Sequence, residues 1–159
     1  MSDNKALARA KEVYDLVIDT LNSRGWHFDE DEENLVVRLV VNGSGQTPVA
    51  LTFIVDPQSQ LLLLYSAMPF LVTEHEEDYV KAVCQTNYRL ADGRFVTDFS
   101  DGAGAFQMSC CYRQNLIGEE VVSYLIDFTF VVVEKYRDKL RDLSEGKIDL
   151  KEYFEFLYK

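Results

Sequence analysis

Apolar residues recur at three- and four-residue steps at Leu7, Ala10, Tyr14, Val17 and Leu21, with Lys11, Glu12, Asp15 and Asp19 between them. This period predicts an amphipathic helix over 3–24, ended by Gly25, a residue that readily takes the left-handed backbone closing a helix. The pattern then shortens. Residues 26–28 read as a short strand and the acidic run 29–33 as a turn into a strand over 35–41, followed by apolar runs at 49–55 and 61–66. Asn42-Gly43-Ser44-Gly45 and Asp56-Pro57-Gln58-Ser59 separate these runs and have turn compositions, which predicts a meander of three or four antiparallel strands.

Thr73 and Glu76 have the spacing of a capping box, so a second helix is expected from there to about Leu90, with Tyr79, Val80, Val83, Cys84 and Asn87 on one face. An amide on such a face needs partners, and Asn87 is expected to bond to nearby backbone. Residues 94–99 and 105–112 read as a hairpin across Ser100-Asp101-Gly102. Phe106, Met108, Cys110 and Tyr112 alternate with Gln107, Ser109, Cys111 and Arg113, which predicts a half-buried strand with Cys110 facing the core and Cys111 the solvent. From Glu119 a stripe of Val121, Val122, Leu125, Phe128, Thr129, Val132, Tyr136 and Leu140 is too long for a strand despite its β-branched run, and predicts a long helix. Asp149 and Glu152 resemble a capping pair before a short apolar face of Leu150, Tyr153, Phe154 and Leu157.

These elements give an α+β fold: an antiparallel sheet of about five or six strands with helices packed on it, plus a short C-terminal helix over about 149–158. The expected organisation is one domain over 1–159 with its core in about 6–143. At 47% hydrophobic and 13% aromatic residues, a chain this long can bury roughly two-thirds of its unfolded surface.

Charge narrows the function. The formal net charge is −11, and from Glu134 onward seven basic residues balance seven acidic ones, so the whole excess lies before that point. Such a surface lacks the basic footprint of a nucleic-acid binder and is repelled by anionic membranes. The apolar stretches 61–72 and 121–133 are broken by Pro69 and Asp127 and are too short to span a bilayer. Cys84, Cys110 and Cys111 are odd in number and lack C-x-x-C spacing. A reducing, cytoplasmic setting is therefore expected.

The order of elements, with Asn87-Tyr88-Arg89-Leu90, Gly93-Arg94-Phe95-Val96 and Asp98-Phe99-Ser100-Asp101-Gly102, resembles the YbjN family, also called the bacterial sensory transduction regulator domain. Its fold is similar to that of type III secretion chaperones. The resemblance covers about 6–140, with Asn87, Gly93, Asp101 and Gly102 as its structural motif. It implies helices on an antiparallel sheet, no known enzymatic activity and a role in regulation or stress response. Secretion chaperones of this fold are commonly dimeric, which implies a homodimer. The helix over 149–159 goes beyond the family pattern.

Catalytic and metal chemistry find little support. His27 and His75 lack a partner at ligand spacing, the acidic run 29–33 lacks the order of a calcium loop, and no nucleophile elbow, Walker loop or dinucleotide fingerprint is present. No catalytic, cofactor or metal residue is assigned. The stronger clue is surplus apolar surface: Tyr124, Ile126, Phe130 and Val133 lie off the main stripe of the long helix, and the tail adds Phe156 and Tyr158. Either the C-terminal helix covers them or another chain does, and Tyr124, Phe130, Phe156 and Tyr158 are the expected interaction residues. The resulting expectation is a chaperone-like or regulatory protein-binding domain; the alternative is a small-molecule sensor or enzyme using a cavity between sheet and helix.

Overall fold

Ten elements follow one another in the computed structural model, which describes residues 3–159: α1 (Asp3–Ser23), β1 (Asp29–Asp31), β2 (Val36–Val41), β3 (Val49–Asp56), β4 (Leu61–Leu71), α2 (Glu76–Arg89), β5 (Arg94–Asp98), β6 (Ala103–Cys111), α3 (Glu119–Ser144) and α4 (Leu150–Leu157). The strands form one open antiparallel sheet in the order β1-β2-β3-β4-β6-β5.

Period-two alternation decides which side of the sheet is covered. Val37, Leu39, Leu51, Phe53, Val55, Leu62, Leu64, Phe106 and Met108 point to one side and are buried. α1 packs there on β3, α3 on β4 and β6, and α2 on β5. The space between sheet and helices is filled by these side chains and by Val17, Leu21, Leu125, Ile126 and Val133 from the helices.

The first helix ends as its sequence signal predicts, whereas the segment after it and the start of the second helix differ. α1 closes on Gly25, at φ 68, with the Trp26 amide donating to the Leu21 carbonyl at 3.2 Å. Residues 26–28 are thus occupied in finishing the helix and form no strand. The strand is instead the acidic Asp29–Asp31, paired with β2. Asp31 accepts from the backbone and side-chain amides of Asn34 in the turn that follows. β4 runs on through Pro69 with an irregular register near its end. α2 is entered through His75, in a left-handed conformation (φ 54) with no side-chain cap, so Thr73 lies two residues outside the helix start and does not cap it. α4 does begin with a reciprocal capping box between Asp149 and Glu152, and the capping residue's carboxylate satisfies an amide that the first turn leaves free.

α3 is anchored through two side chains one turn apart. Arg137, only 3% exposed, donates to the Thr47 and Pro48 carbonyls at 2.9 and 3.0 Å. The Glu134 carboxylate accepts from the Ser44 amide and hydroxyl and from the Gly45 amide. These bonds fix the β2–β3 loop to the helix layer.

Candidate protein-binding surface

Among the described residues no helix packs on the other side of the sheet. Its side chains form rows across the strands, because each residue faces its registered partner. One row crosses all six strands: Asp29, Arg38, Thr52, Tyr65, Gln107 and Arg94. It is polar and partly bonded internally, with the Gln107 side-chain amide donating to the Tyr65 hydroxyl at 2.8 Å and Arg94 donating to the Gln107 side-chain oxygen at 3.1 Å. The rows flanking it are apolar. On one side Val40 faces Ala50, and Ala67 faces Ala105, which faces Val96; on the other, Val36, Ile54 and Leu63 run in register to Ser109. Val40 and Leu71 on this face are 68% and 60% exposed. A sheet face with apolar rows in contact with water is the kind of patch that marks a protein contact.

Both edges of the same sheet are closed to a further strand. β1 presents three consecutive carboxylates, Asp29, Glu30 and Asp31, on a strand of three residues, and charge on a very short edge strand discourages pairing. At the opposite edge, Asn87 holds β5. Its side-chain oxygen accepts from the Phe95 amide at 2.8 Å and its nitrogen donates to the Phe95 carbonyl at 3.0 Å, so one side chain takes both outward backbone groups of the residue near the middle of this edge strand. The glycines beside it serve the same corner. A Cβ on Gly93 (φ 69) would collide with Phe106 and Met108, and one on Gly102 (φ 79) with the Val72 backbone. Asp101 accepts from the Ala103 amide in the hairpin turn.

α2 carries a second apolar surface. Its inner side is Tyr79, Ala82 and Thr86, with the Thr86 hydroxyl 2.6 Å from the buried Tyr153 hydroxyl of α4. Burial pushes the Tyr153 phenol well above its ordinary range. Val80 and Cys84, expected inside, are turned outward with Tyr88, which is 85% exposed. The α4 contact explains the rotation, because α4 packs on α2 and selects the Tyr79 side as the buried one. Val80, Cys84 and Phe99 line a shallow groove between α2 and β5.

The four aromatics singled out from the sequence do not converge. Phe130 packs on Trp26, beside the α1 end. Tyr124 stacks on Phe128 and donates to Asp92 at 3.1 Å. Phe156 packs on Tyr136 and Tyr153, and Tyr158 lies under the Arg89 guanidinium and donates to Gln85. Ile126 and Val133, counted as surplus, are fully buried. Sequence periodicity treats α3 as having one neighbour, whereas it has the sheet, α1, α2 and α4.

Reactive groups are dispersed. Among the described residues no group of three or more His, Cys, Asp or Glu could hold a metal ion. All three cysteines are free, and Cys110 is half-buried rather than buried, with Cys111 exposed. Burial raises the Cys110 thiol above its ordinary value. The Tyr112 phenol is pushed up to about 12 by burial and by nearby Asp56, and it donates to the Asp56 carbonyl, a structural contact. No helix of the described residues is long and apolar enough to cross a membrane.

No family model matches the chain and no curated protein matches it by sequence, so the YbjN resemblance rests on its motif alone. Solved structures do match. A chain of the HopA1–SchA chaperone–effector complex aligns with a TM-score of 0.56 at 13% identity, covering 87% of this chain and 97% of that one. A chain of the ExsC–ExsE complex aligns with a TM-score of 0.62 at 15% identity, covering 82% and 95%. At such identities the likeness is one of fold, and it gives this α+β chain a fold shared with components of protein–protein complexes, one of them a chaperone–effector complex.

Proposed function

We propose that the chain is a non-enzymatic, chaperone-like protein-binding domain of the cytoplasm, which receives a segment of another polypeptide on its bare sheet face. The observation that carries this reading is the set of apolar side chains on the bare face of a sheet whose edges are guarded, with Val40 and Leu71 largely exposed and Ala50, Ile54 and Leu63 half-buried. Binding by strand addition is disfavoured at such edges, which leaves the face. The fold shared with components of the two complexes supports the same reading.

A second copy is assigned to the outer side of α2, where Val80, Cys84 and Tyr88 form a stripe at four-residue spacing with nothing over it. This replaces the four dispersed aromatics as the basis for a homodimer. Light scattering at micromolar concentration should give about twice 18.3 kDa, and Val80→Asp with Tyr88→Asp should return the mass to that of one chain. Ile54→Asp with Leu63→Asp should keep the wild-type circular dichroism and abolish capture of the proteins that the wild type retains. Retention of the same proteins by that variant would sink the face as the binding surface.

A further inference from the structure

A cavity of about 440 Å³ lies away from the bare face, between α1 and the β6–α3 loop, and its charge runs against that of the molecule. Before Glu134 the chain has nine of its 16 basic residues against 20 of its 27 acidic ones. Three of those nine, Lys5, Arg9 and Arg113, line this one cavity, and among the described residues no carboxylate does. Lys5 and Arg9 are one turn apart on α1 and so share a face. Arg9 is held in place, donating to the Asn115 carbonyl at 2.7 Å and to Glu12 outside the lining at 2.7 Å. Lys5 and Arg113 make no ion pair among the described residues.

Gln60 adds a polar group to the same lining. It lies in the turn before β4, is 7% exposed, and its backbone carbonyl is fixed by the Tyr112 amide at 3.0 Å. Its side-chain amide makes no hydrogen bond to the described residues and lines the cavity, free to bond to what enters it. Gln60 and Gln114 both adopt left-handed backbone, at φ 56 and 55, so two glutamines are held in sparsely populated conformations on this one lining. The volume falls within the range of sites for small molecules.

From these features we infer that the cavity binds a small anion carrying two or more negative charges, a phosphorylated or polycarboxylic compound. Arg113 and Lys5 would take its oxygens and the Gln60 amide would complete the shell. Arg9, already bonded to Asn115, contributes its charge. The apolar rim, including Leu116 at 95% exposed, accommodates the carbon skeleton. This site is separate from the sheet face and does not depend on the protein-binding reading.

Titration of the full chain with inorganic phosphate and with citrate, followed by the amide resonances of Gln114, Asn115 and Leu116, tests the inference. The expected result is saturable shifts at millimolar concentrations or below, weakening as salt screens the charges. Arg113→Gln or Lys5→Gln should each raise the dissociation constant about tenfold, the loss expected for one charge-assisted bond. Lys11→Gln, off the cavity on the same helix, should leave it unchanged. Absence of saturation by either probe would overturn the site. So would equal affinity in the Arg113→Gln, Lys5→Gln double variant, or binding of an oligoglutamate peptide in place of both small anions.

Discussion

Phe53 and Ile54 are neighbours on β3 and differ by one step of the pleat, yet they belong to two kinds of surface. Phe53 is fully buried, packed in the core with the helix layer. Ile54 sits between Val36 and Leu63 on the bare face. The inner face is apolar apart from the buried Ser66 and is required for folding. The outer face is striped, a bonded polar row between apolar ones. Its apolar rows gain little for the isolated chain, because no layer packs over them. This contrast separates the face that folding requires from the face that the proposed function would use.

The contrast can be broken most forcefully from the inside. Phe53→Ala removes a large side chain from a filled interior and should destabilise the domain by about 3–5 kcal/mol. A urea titration of that variant should show an early midpoint or no folded baseline. A loss below about 1 kcal/mol would mean that the helices do not pack as described.

The β5 edge is next in size. Asn87→Ala leaves the Phe95 amide and carbonyl without partners, so the expected loss is about 1–3 kcal/mol. The same change opens β5, and the variant should aggregate or bind thioflavin sooner than wild type as the edge becomes available for pairing. An unchanged midpoint together with unchanged aggregation would show that the amide does not guard the edge.

Asn87 also shows how far the sequence could be read. An amide on an apolar helical stripe has to be paired, and local spacing is enough to reveal it. α1, α3 and the α4 capping box were legible for the same reason, since their signals lie within one element. Of the site, the Cys110/Cys111 alternation exposes the strand but not what covers its two faces. The errors are tertiary. Val80 and Cys84 look like core until α4 selects the other side of α2, and Ile126 and Val133 look surplus until the several neighbours of α3 are in place. Asp29–Asp31 has the composition of a turn and becomes a strand because β2 offers it a partner. The cross-strand rows exist only once register is known, which no single strand encodes.

The loop between β2 and β3 connects the two faces and gives a smaller, pH-dependent effect. The Ser44 hydroxyl, with the Gly45 and Ser44 amides, holds the Glu134 carboxyl below its ordinary value. A depressed folded pKa contributes stability that is fully present above the unfolded value, 4.5, and is lost as pH falls through the folded one. Glu134→Gln should therefore cost about 1 kcal/mol at pH 7, and the gap to wild type should narrow as both are acidified below that value. Urea midpoints at neutral and acidic pH measure it; a gap that stays constant would show that the carboxylate is not held as a charged acceptor.

The smallest expected effect is the most discriminating. Ile54→Thr keeps β-branching on β3 and changes only what the bare face presents, so its stability cost should be about 0.5 kcal/mol, the scale of a cross-strand contact. Set beside Phe53→Ala, one residue away, that gives a several-fold ratio between inner and outer positions. The ratio should hold at every protein concentration if the face is free in the dimer proposed through α2. If instead a second copy covers the sheet, Ile54 behaves as an interior residue and its cost grows as concentration rises, because dissociation then precedes unfolding. Chemical denaturation of both variants at low and high micromolar protein separates the two. A concentration-dependent loss for Ile54→Thr would move the homodimer from α2 to the sheet and leave α2 as the surface for the other polypeptide.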